Sequence, residues 1–77
     1  MANIDLAVAR IRNQAVRRPF GERARYVADN IRHQQDTIRK FTTGRAPDGW
    51  SLSQSEELLH RLVDMEAKFA AAERAAA

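Results

Sequence analysis

The chain has no cysteine. No disulfide can cross-link it, and no thiol is present to act as nucleophile or metal ligand. Its two histidines, His33 and His60, are too few for a structural zinc centre, so neither a metal nor another cofactor is expected. Long apolar runs are missing as well: none exceeds four residues, apart from the alanine-rich end. That excludes a membrane-spanning helix. The opening MANIDLAVARIR carries Asp5 and has no apolar block of signal-peptide length, so a cytoplasmic protein with no membrane association is expected. There is no glycine-rich phosphate loop, no arranged pair of carboxylates and no serine set beside a histidine, and an enzyme is therefore not expected. The few aromatic residues form no stacking platform of the kind that grips single-stranded nucleic acid. No alternating pattern marks a strand.

What remains is a chain of 77 residues, long enough for one domain. A core of this size stabilises a fold by roughly 5 kcal/mol. Without staples, tight helix packing or a second chain must supply the rest, which makes a homodimer an expectation.

The periodicity predicts an all-α, three-helix arrangement in one domain over residues 1–77, a short N-terminal helix plus a long antiparallel helical hairpin. The first helix spans about 3–17, where Ile4, Val8, Ile11 and Ala15 recur on one face. Asn3 or Asp5 can cap it, and Pro19 stops it. The second spans about 22–43, with Ala24, Val27, Ala28, Ile31, Gln35, Ile38 and Phe41 in the stripe and Gly44 at the C-terminal stop. Pro47-Asp48-Gly49 supplies a turn. The third spans about 53–74, opened by a Ser53/Glu56 capping box, with Leu58, Leu59, Leu62, Val63, Met65, Phe69 and Ala70 on its apolar face. Its alanine-rich tail has little to bury and is expected to fray.

Charge is distributed unevenly. Residues 10–45 hold ten basic residues against three acids, and residues 46–77 hold three against six. In the second helix Glu22, Arg25, Asp29, Arg32, Asp36 and Arg39 alternate in sign at spacings of three and four. Each such pair contributes about 0.3 kcal/mol and reads as a solvated, self-paired edge. The arginines left without a local acid are Arg10, Arg12, Arg17, Arg18, Arg23 and Arg45, and Arg17, Arg18 and Arg23 cluster at Pro19. Two structural roles compete with anion binding there. Cations favour a helix C-terminus, and arginine stems cover apolar surface.

Two further patterns stand out. Gln35 and Glu66 fall in otherwise apolar stripes, with Glu73 on the same side of the third helix. A buried carboxylate needs a partner, so an amide or a cation is expected opposite Glu66, in a polar seam that sets register or oligomeric state. Tyr26, Asn30, His33 and Thr37 line the side of the second helix opposite its stripe, a plain solvated surface or a protein contact face. Trp50 is expected to lid the open end of the bundle.

The reading that follows is a small non-enzymatic interaction protein, an adaptor, subunit or inhibitor, acting on a protein partner and acting as a homodimer in one version. Its expected partner contacts are Arg10, Arg17, Arg18, Arg23, Tyr26 and His33, and its expected dimer seam is Gln35, Ile38 and Leu62. Binding of nucleic acid through the arginines around Pro19 is the alternative.

Overall fold

The computed structural model describes residues 3–76. Three helices follow in order, α1 (Ile4–Val16), α2 (Arg23–Thr42) and α3 (Leu52–Ala76), and no strand occurs among the described residues. The chain is thus an all-α, three-helix arrangement in which α2 and α3 form the principal pair. The ends differ from the expected ones by a residue or two, and the alanine-rich tail is helical through Ala76.

Each helix is delimited by local chemistry. Asn3 caps α1 from an extended backbone, its side chain accepting the Leu6 N–H at 3.0 Å. At the far end of α2, Gly44 takes φ +76°, and the Arg45 N–H then reaches back to the Lys40 carbonyl at 2.9 Å. This is the long bond of a Schellman stop, which favours glycine in the left-handed position. The start of α3 corrects the expected Ser53/Glu56 box. The reciprocal pair is Ser51 with Gln54: the Ser51 N–H donates to Gln54 Oε1 at 2.9 Å, and the Gln54 N–H donates to Ser51 Oγ at 3.1 Å.

Three cross-helix contacts fix the topology. Arg61 on α3 meets Asp5 at the start of α1 at 3.1 Å. Glu73, three turns later on α3, meets Gly21 and Arg23 just past the end of α1. Thus α1 runs parallel to the C-terminal half of α3, and α2 returns antiparallel to both. Gln34 of α2 lies level with Ser55 of α3, so the hairpin extends beyond the start of α1. The molecule measures 44 × 21 × 16 Å. One half is three helices thick and the other half two.

The core follows from the sequence stripes. Val8, Ala15, Val27, Leu58, Leu62 and Met65 are buried together, with Ile4, Ile11, Ile31, Trp50 and Phe69 packed around them. Leu62, expected at a dimer seam, is only 1% exposed within the single chain. It is a central residue of the monomer's own core and has no surface to offer a second copy. The polar seam residue of α2 is Gln34, not Gln35, which is exposed. The Gln34 side-chain amide donates to the Ser55 carbonyl at 3.0 Å. Ser55 is fully buried, and its Oγ has no hydrogen-bond partner among the described residues. A buried hydroxyl without a partner destabilises. Ser55→Ala is therefore expected to raise stability by about 1 kcal/mol in urea denaturation, whereas the same change at exposed Ser53 is expected to leave it almost unaltered.

Candidate protein-interaction surface

The corner between α1 and α2 is closed by side chains from other elements. Glu22, at the N-terminal end of α2, makes no side-chain capping bond. Glu73 of α3 does so instead, its Oε2 accepting the Gly21 N–H at 2.7 Å and the Arg23 N–H at 2.9 Å. Gly21 holds φ +103°, a conformation that glycine adopts without strain. The carboxylate sits at the positive end of the α2 dipole, where a negative charge is stabilised. In the opposite sense, the Arg23 guanidinium donates to the Val16 and Arg18 carbonyls at 3.2 and 3.3 Å. These lie at the negative end of α1. On α3, the carboxylate that gains partners on another element is therefore Glu73, whereas an amide or cation was expected opposite Glu66. Removing it by Glu73→Ala leaves two backbone donors without their acceptor. A loss of about 1–2 kcal/mol is expected, read as an earlier urea midpoint at unchanged slope.

These contacts redistribute the expected partner residues. Arg23 is half-buried and tied to the end of α1. Arg18 lies over the Tyr26 ring, 4.9 Å from its centroid. Tyr26 is half-buried and packs against the core, so it is not the bare contact residue that the helix pattern suggested. Asn30 and Thr37 turn their side chains back to carbonyls of α2 itself. Arg10, Arg17 and His33 stay exposed, but they lie on different helices or turns and do not converge on one hollow. On the ladder of α2, Arg32 bonds Asp29 and Arg39 bonds Asp36. Arg25 instead lines a small polar hollow of about 130 Å³ with Glu22, Asp29, Arg18 and Tyr26. Of the expected seam residues, Gln35 and Ile38 lie on the two-helix half, Ile38 half-buried.

A larger concavity lies elsewhere. Between α1 and α3 runs a groove of about 620 Å³, a size in the range of roughly 300–1,000 Å³ typical of binding sites. Val8 and Val16 of α1 and Met65, Phe69 and Ala72 of α3 give it an apolar floor. Arg12, Arg61, Asp64 and Lys68 form the rim. Val16 is 46% exposed, so apolar surface is open to solvent along the groove. Its α3 wall runs from Arg61 to Ala72, about 16 Å at the rise of a helix. α1 and α3 run parallel along this length, tied at one end by Asp5 and Arg61, and together they wall the trough.

The sequence carried a signal for this groove that the main periodicity obscures. Val8, Arg12 and Val16 recur at intervals of four, a second edge of α1 beside the core-facing one. On α3, Met65, Phe69 and Ala72 recur at four and three. Each edge looks ordinary alone, and only the parallel docking brings them together. A second, smaller hollow of about 250 Å³ opens beside Trp50, between His33 and Thr37 of α2 and the buried Ser55. Trp50 is half-buried and packs against the core cluster.

No family model, curated protein or solved structure matches the chain. No described helix is long and apolar enough to cross a membrane. Among the described residues, no group of three or more histidine, aspartate and glutamate side chains is placed to hold a metal.

Proposed function

We propose that the protein is a small helical interaction module that works by binding another protein, as an adaptor, subunit or inhibitor. One observation carries this reading: the open apolar groove between α1 and α3. A monomeric domain that leaves a trough of valine, methionine and phenylalanine open to water gains free energy when a partner covers it. Helix-lined apolar troughs of this length are a recurrent way of holding an amphipathic segment. The arginines at Pro19 support the nucleic-acid alternative less well. Arg18 and Arg23 are engaged within the chain, and Glu73 places a carboxylate at the same corner.

The homodimer version draws support from the two-helix half, where no third helix covers the surface near Ile38 and Gln35. Light scattering is expected to give a mass above the 8.7 kDa monomer if that surface pairs, and Ile38→Glu is then expected to restore the monomer mass.

The absence of cysteine makes a direct test simple. Val16→Cys gives a unique thiol in the groove for a photo-cross-linker, and Val63→Cys gives an equally exposed one outside it. In extract of the native host, the probe at position 16 is expected to capture one protein reproducibly and the probe at 63 is not. Equal capture at both positions, or none at 16, contradicts the reading.

A further inference from the structure

We propose that the occupant of the α1–α3 groove is an acidic amphipathic helix of a partner protein. The inference rests on the protein-binding reading above and adds the chemistry of the partner. Shape supplies the first argument. The trough is about three helical turns long and walled by two parallel helices. A third helix laid into it with apolar residues at every third or fourth position completes a packed bundle.

Charge supplies the second. The rim carries three cations, Arg12, Arg61 and Lys68, and one carboxylate, Asp64. Arg61 is already engaged by Asp5 at 3.1 Å. Arg12 and Lys68 form no ion pair among the described residues. They stand on opposite walls, Arg12 on α1 and Lys68 on α3, so a helix lying between them meets a cation on each flank. Carboxylates along both edges of such a helix pair with these two groups, and lysines there are repelled. A polyanion such as nucleic acid would meet the same two cations. It would also have to lie against an apolar floor that offers its phosphates nothing and against the Asp64 carboxylate. The groove therefore fits a segment that is apolar on one face and acidic at its edges.

The test is selection from a library of helical peptides whose flanking positions are varied equally between glutamate and lysine. The full chain is the bait, and the Val16→Glu variant is used to remove peptides that bind elsewhere. Val16 is 46% exposed, and unchanged helical circular dichroism of the variant establishes that it still folds. The proposal expects groove-dependent peptides rich in glutamate at the flanks. It also expects Arg12→Glu/Lys68→Glu to weaken the best of them about tenfold or more, since two exposed pairs become repulsive, and to improve binding of its lysine counterpart. Groove-dependent peptides that are neutral or basic overturn the acidic partner and leave the protein-binding reading standing. Failure to recover any peptide that depends on Val16 overturns both. Self-association that disappears in Val16→Glu assigns the groove to a second copy and overturns the proposal.

Discussion

Replacing Leu62 by alanine is expected to unfold most of the protein at 37 °C. Leu62 is 1% exposed and stands at the centre of the buried cluster, among side chains from all three helices. Truncation removes the transfer free energy of the lost carbons and leaves a cavity. Buried leucine-to-alanine changes cost about 2–5 kcal/mol for these two reasons. A domain of this size has a total stability of roughly 5 kcal/mol, so one such cavity removes most of it. With no cysteine, the chain has no disulfide to fall back on. Thermal denaturation followed by circular dichroism checks this. Val63→Ala, one residue away but 46% exposed, is expected to change stability by less than about 0.5 kcal/mol. Equal effects at the two sites would mean that α3 presents a different face to α2.

The second large effect concerns binding. Val16→Glu is expected to weaken association with the groove partner at least thirtyfold while the chain stays folded. The side chain is on the floor of the trough and half-exposed, so the free protein tolerates a carboxylate there with its charge in water. In the proposed complex the same carboxylate would be sealed beneath an apolar face, away from water and opposite acidic flanks. Apolar anchors sealed in an interface cost about 2 kcal/mol or more when disrupted, which is a factor of about thirty in affinity. Calorimetric titration of the cross-linked partner, expressed separately, measures it. Arg17→Glu, at an exposed position outside the groove, is expected to change the same affinity by less than about threefold.

How much of this was legible in the sequence depends on the kind of signal. The helices are legible because their apolar residues recur at helical spacing and because Pro19 and Gly44 mark the stops. The choice between Gln34 and Gln35 is not, since neither is apolar and they stand side by side at the edge of the stripe. Packing decides it: only position 34 faces the Ser55 carbonyl. The start of α3 was ambiguous for a similar reason. Ser51-x-x-Gln54 and Ser53-x-x-Glu56 are both sound capping boxes, and local propensity gives no ground for preferring one.

The candidate surface was less legible still. Counting acids near each arginine along the chain leaves Arg18 and Arg23 as spare charges. In the fold, Arg18 covers an aromatic ring and Arg23 closes the end of α1. Their partners are a ring and carbonyl groups, which no tally of carboxylates reveals. Glu73 was visible as a polar residue on an apolar side, but its target, the backbone at Gly21, is 52 residues away. Ala72, the neighbour of Glu73 on α3, lines the groove. Tail residues that looked unattached are thereby part of the surface the protein presents.

The proposed binding site is the trough between α1 and α3. Backbone amide shifts in ¹H–¹⁵N spectra, recorded while the tightest groove-selected peptide is added, test it residue by residue. The account expects the largest changes at Val8, Arg12, Val16, Lys68 and Ala72, with Arg10, Arg17 and His33 nearly still. Shifts centred on the Pro19 arginines or on the Tyr26–His33 side of α2 would contradict it.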